Sequence, residues 1–164
     1  MTGLSDFQIQ HNGPQLMSIK KLVKMIVNKT TANSKPHPTP EQTPYDLMGG
    51  EPKVRELANR FYDIMASDPQ AAELYAIHPL PLDNIRQKFF EFLSGWLGGP
   101  ALFEQKYGHP RLRARHLPFQ VDEKLRNQWM YCMDKALDEV VDNKLLRDGI
   151  RQSIGQLASH MINT

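Results

Sequence analysis

The chain has 164 residues, 40% of them apolar and 9% aromatic, and a formal net charge of +2. That is enough chain for one domain with a sizeable core, and too little charge for nucleic-acid binding to follow from bulk electrostatics. The single cysteine, Cys132, excludes an internal disulfide, and no Cys/His spacing of a zinc site is present.

The charge is unevenly placed. Residues 1–40 carry five lysines and one acid, whereas residues 41–164 carry 15 basic and 17 acidic residues. The first apolar run comes late and is studded with lysine, unlike a secretory signal. No run approaches the roughly eighteen apolar residues of a membrane span. A cytoplasmic protein is the expectation.

Residues 1–42 read as an extension. Met17, Leu22, Val23, Met25, Ile26 and Val27, mixed with Lys20, Lys21, Lys24 and Lys29, predict a short amphipathic helix over residues 16–29. Pro36, Pro38, Pro40 and Pro44 among Thr, Ser and Asn predict an extended linker after it. The lysine face could touch an anionic membrane. Packing on its own domain or on a partner subunit is the favoured reading, because so short a helix binds lipid weakly.

Residues 43–164 read as a helical domain. Tyr45 to Met48 is a short turn stopped by Gly49-Gly50, and Pro52 suits the first turn of the next helix. Val54, Leu57, Phe61 and Met65 recur at helical spacing until Asp68-Pro69 breaks the run. Leu82, Ile85, Phe89, Phe92, Leu93 and Trp96 form a second stripe, ended by Gly98-Gly99-Pro100. Residues 101–119 look irregular. Asp122 is placed to cap a helix whose apolar face is Leu125, Trp129, Met133, Leu137 and Val140. The last helix carries Leu146, Ile150, Ile154, Leu157 and Met161. No segment alternates with period two, so the fold class is all-α, with four main helices and one long irregular stretch. A stretch of that length inside a compact domain needs a reason, and wrapping a cofactor is one.

The irregular stretch ends in the most informative block. Gly108 to Phe119 holds two histidines, three arginines and two prolines. Pro118 stops a regular helix just past His116. A neutral imidazole at such a rim can bind a metal or haem iron, and flanking guanidinium groups suit a dianionic ligand. The plainer alternative is a capping or surface histidine.

Residues 43–164 resemble the truncated haemoglobins of the second group. The resemblance rests on Gly49-Gly50, Phe61-Tyr62, Trp96-Leu97-Gly98-Gly99-Pro100, the Gly108–Phe119 block with His116-Leu117-Pro118-Phe119, and Trp129 followed by Cys132-Met133. It implies a two-over-two helical sandwich around haem b and does not cover residues 1–42. By the same resemblance His116 is the proximal iron ligand, while Tyr62 and Trp129 are distal hydrogen-bond donors. His78 falls at the corner before the distal helix, where it could face the ligand or solvent. Ile85 and Phe89 stand where other globins often place a gating His or Gln. Lys88, Arg113 and Arg115 are candidate propionate partners. Ile85, Phe89, Phe92, Leu93, Leu117 and Phe119 are candidates for the apolar lining.

The implied function is binding of dioxygen, CO and NO in a donor-rich pocket, suited to oxygen, NO or peroxide chemistry or to sensing rather than bulk transport. A peroxidase or NO dioxygenase using an external reductase is the enzymatic alternative, and a haem-free helical interaction module is the remaining one. No nucleic-acid partner is expected, and the oligomeric state is open.

Overall fold

The computed structural model describes residues 42–164. The helix expected over residues 16–29 and most of the linker after it lie outside the described residues. Eight α-helices and one 3-10 turn make up the described part, with no strand among the described residues: α1 Pro44–Met48, α2 Glu51–Ser67, a 3-10 turn Pro69–Ala71, α3 Ala72–Ala76, α4 Asp83–Trp96, α5 Leu102–Tyr107, α6 Leu112–His116, α7 Glu123–Val140 and α8 Lys144–His160.

Local chemistry sets these boundaries. Thr43 and Asp46 cap α1 reciprocally: Thr43 Oγ1 accepts from the Asp46 amide at 3.2 Å, and Asp46 Oδ2 accepts from the Thr43 amide at 3.0 Å. Gly49 ends α1 in the left-handed region, at φ 109°. The Asp68 amide donates the last backbone bond of α2, to Ile64 O, and its side chain caps the 3-10 turn by accepting from the Gln70 amide at 3.0 Å. Asp122 caps α7 as expected, accepting from the Leu125 amide at 2.8 Å. Asn143 does the same for α8 through Leu146.

Four long helices form the body. α2 packs on α4 and α7, and α7 packs on α8. The core is Val54, Leu57, Phe61 and Met65 of α2, Phe90 and Leu93 of α4, Met133 and Leu137 of α7, and Ile150 and Ile154 of α8, all essentially without solvent contact. The paired glycines after α4 admit α1: the Tyr45 amide donates to Leu97 O at 3.0 Å, and the Tyr45 ring lies so close to Gly99 that a Cβ there would collide with it.

The stretch expected to be irregular contains α5 and α6. Helices of six and five residues are too short to write a periodic signature, and Gly108 at φ 72° and Pro110 separate them. The α4 stripe also divides into two faces. Phe90 and Leu93 enter the core, whereas Ile85, Phe89, Phe92 and Trp96 are only half-buried and form a second face packed at its margin.

Candidate functional site

The second face of α4 meets an aromatic cluster from three other segments. Phe61 of α2 is the hub, with ring centroids 4.9 Å from Tyr62, 5.1 Å from Phe89 and 5.0 Å from Trp129. Tyr62 is edge-on to Phe89 at 5.8 Å and to His78 at 5.9 Å, and Phe89 is edge-on to Trp129 at 6.1 Å. Tyr62, His78, Phe89 and Trp129, which the family resemblance singled out, stand in one cluster. Such offset and edge-to-face contacts hold rings in defined orientations.

The polar tips of this cluster are notable for what they do not bond. Among the described residues, neither the Tyr62 hydroxyl nor the Trp129 indole N–H has a protein partner, although each belongs to an otherwise packed side chain. Burial pushes the Tyr62 phenol well above its ordinary pKa, opposed by the nearby Arg86 cation, so the hydroxyl keeps its proton. Arg86 itself is anchored by Asp63 at 2.7 Å and by the Asn59 carbonyl at 2.7 Å, with its guanidinium 5.8 Å from the Tyr62 ring centroid. Arg86 carried no signal in the sequence, because a polar helix position looks the same whether or not an aromatic ring lies beside it.

Two histidines complete the arrangement. His78 Nδ1–H donates to Leu74 O and His116 Nδ1–H to Leu112 O, both at 2.7 Å. Among the described residues, nothing engages the Nε2 lone pair of either ring. Burial lowers the His78 pKa, the Leu74 hydrogen bond opposes that, and the charge of His116 lowers it further.

Large apolar side chains in solvent concentrate beside these histidines. Ile77 and Leu80 flank His78, and Leu117 and Phe119 follow His116; Leu80 is 65% exposed and Leu117 60%.

The remaining candidates are dispersed. Lys88 Nζ lies 5.4 Å from the Tyr107 ring centroid. Arg115 Nε donates to Pro110 O at 2.8 Å, with its guanidinium 5.5 Å from the Phe103 ring. Arg113 Nη1 donates to the His160 and Ile162 carbonyls of the C-terminal tail. Leu93 is 1% exposed and belongs to the core behind the cluster. Cys132 is also core, its thiol pushed up to about 11 by burial and by the Asp68 charge. His109 Nδ1 accepts from the Arg111 amide at 3.1 Å, a local turn contact.

The body is all-helical, with an aromatic cluster at its margin and a histidine on a short exposed helix, and comparison with known proteins places it in a family. Residues 43–163 match the family model of the bacterial-like globins. The group 2 truncated hemoglobin YjbI of Bacillus subtilis is 37% identical over 120 residues, covering 73% of this chain and 88% of that protein. The structure of the cold-adapted truncated hemoglobin from the Antarctic marine bacterium Pseudoalteromonas haloplanktis TAC125 is 67% identical, with TM-score 0.74, covering 75% of this chain and 99% of that one. The structure of the truncated oxygen-avid haemoglobin from Bacillus subtilis is 36% identical, with TM-score 0.69, covering 74% and 100%. The chain belongs to the bacterial-like globin family, as a group II truncated haemoglobin. It is accordingly a haem-binding globin of a family whose ligands are diatomic gases. Among the described residues, no helix is long and apolar enough to cross a membrane.

Proposed function

We propose that this globin binds dioxygen tightly at haem b held by His116, with CO and NO as alternative ligands, in the cytoplasm. Residues 43–164 are the globin domain and residues 1–42 an extension to it. The observation that carries the reading is the pair of donors without a partner among the described residues, the Tyr62 hydroxyl and the Trp129 indole, with the His78 imidazole against Tyr62 and a second imidazole, His116, that also presents Nε2.

The residues fit the prosthetic group. Among the described residues, no three His, Cys, Asp or Glu side chains gather as a metal site. An imidazole such as His116, bonded only through Nδ1 and followed by the exposed Leu117 and Phe119, suits an iron that brings its own ring of nitrogen ligands. Ile85, Phe89, Phe92, Leu117 and Phe119 supply apolar contact, and Leu93 backs them from the core. Lys88 and Arg115 serve the propionates, together with the nitrogens of Arg113 that the tail does not use.

When bound, haem supplies an iron with a coordination position for a diatomic gas. The chain supplies the selectivity. Tyr62 stays protonated, so its hydroxyl is a donor throughout the neutral range, and the Trp129 N–H is a donor at any pH. Each donor bond to a partly charged ligand atom in a dry site is worth about 1–3 kcal/mol, enough to slow ligand release by on the order of tenfold or more. Slow release suits NO or peroxide chemistry, with electrons from an external reductase, or sensing, better than oxygen delivery. The description of the Bacillus subtilis relative as oxygen-avid supports the same direction.

Stopped-flow release of dioxygen from the ferrous protein tests this. Slow release that Tyr62→Phe and Trp129→Phe each accelerate by on the order of tenfold is expected. Fast release unaffected by either substitution would remove the reading.

A further inference from the structure

The helix that carries His116 has almost no packing of its own. None of the five residues of α6 is buried, and its N-cap, Arg111, holds a left-handed backbone at φ 45° with no side-chain cap. The Leu112 carbonyl fixes the His116 ring relative to α6, so a contact from outside α6 must fix the end of the helix itself if the ligand is to keep its orientation.

The C-terminal tail does this through one side chain. Asn163 Nδ2 donates to the His116 and Phe119 carbonyls, at 3.0 Å each. Its Oδ1 accepts from the Val121 amide at 3.0 Å, and its own amide donates to Val121 O at 2.9 Å. Arg113 of α6 reaches the same tail by donating to the His160 and Ile162 carbonyls. The tail is itself continuous with α8, whose Ile150 and Ile154 are core residues, and Met161 is buried. A rigid helix is thereby linked through Asn163 to the backbone carbonyl of the histidine.

We infer that Asn163 is a positioning residue for His116: its side-chain amide sets the pitch at which His116 Nε2 is presented. This rests on the assignment of His116 as the iron ligand. Both donated bonds come from one NH2 group, and both end on the turn that closes α6, where the Phe119 amide also donates to His116 O at 3.0 Å. Rotation of the α6 end would break them together.

Two substitutions separate positioning from anchoring. Asn163→Ala removes every side-chain bond. Asn163→Asp keeps the acceptor for the Val121 amide but places a carboxylate against the His116 and Phe119 carbonyls. Resonance Raman of the ferrous holoprotein reads the iron–histidine stretching band, with His116→Ala as the control. The expected result is a band present in the wild type, absent in His116→Ala, and shifted and broadened in both Asn163 variants. Haem transfer to an excess of a haem-scavenging protein is expected to run about tenfold faster in both. Hydrogen exchange at the Val121 amide should accelerate only in Asn163→Ala.

A wild-type band and transfer rate in Asn163→Asp would overturn the inference, because anchoring of Val121 alone would then suffice. Persistence of the band in His116→Ala would overturn the ligand assignment and the inference with it. If Asn163→Ala loses its helical circular dichroism, Asn163→Asp decides alone.

Discussion

His78 and His116 hold their rings by one device: each donates Nδ1–H to the carbonyl four residues earlier, at 2.7 Å, and each presents Nε2. They differ in surroundings. His78 lies edge-on to Tyr62 inside the aromatic cluster, whereas His116 ends a helix with no buried residue. Matched hydrogen bonding thus gives two free imidazole nitrogens, one beside the donors and one apart from them.

That difference predicts different consequences of loss. His78→Leu should keep the haem, because the proximal nitrogen is untouched, while changing gas-release kinetics through the neighbouring Tyr62. Haem stoichiometry by pyridine haemochrome and stopped-flow release check both halves.

Phe61 supports the site from below. It has no solvent exposure and touches Tyr62, Phe89 and Trp129. Phe61→Ala should destabilise the protein by about 3–5 kcal/mol through lost burial and a residual cavity. Urea unfolding measures the loss, and faster dioxygen release in the same variant would report the freed Tyr62 and Trp129 rings.

Gly99 is required by an approach distance rather than by its φ. A Cβ at this position would meet the Tyr45 ring. Gly99→Ala should cost about 1–3 kcal/mol by overpacking. Adding Tyr45→Ala should make the double variant more stable than the sum of the single effects implies, a coupling that denaturant melts resolve.

Asp68 is one source of acid sensitivity. The Gln70 amide, the Tyr131 hydroxyl and the Lys135 ammonium hold its carboxyl at about 2, below the ordinary 3.8. A depressed carboxylate stabilises the native state above its unfolded-state pKa, and that stabilisation is lost as the pH falls toward its folded-state value. Asp68→Asn should therefore lower the melting temperature near neutrality and flatten its decline between about pH 4 and pH 2. Thermal melts across that range read both effects.

Much of this architecture was legible in the sequence because long amphipathic helices announce themselves. Val54, Leu57, Phe61 and Met65 recur at one face, and Asp122 sits where a cap belongs. The cluster of Tyr62, His78, Phe89 and Trp129 was legible only through the family resemblance, since periodicity marks each aromatic residue as apolar without saying what it faces. Two features escaped. The helices α5 and α6 are too short to leave a pattern. Asn163 acts across 47 residues on His116 through a carbonyl, and backbone acceptors have no sequence signature.

Ligation of haem iron by His116 is tested by the visible absorption spectrum of the purified protein, ferric, ferrous and ferrous-CO, beside that of His116→Ala. A strong Soret band that moves with CO in the wild type and is lost or altered in the variant is expected. A wild-type protein that takes up no haem even with added hemin, or a His116→Ala spectrum identical to the wild type, would contradict it.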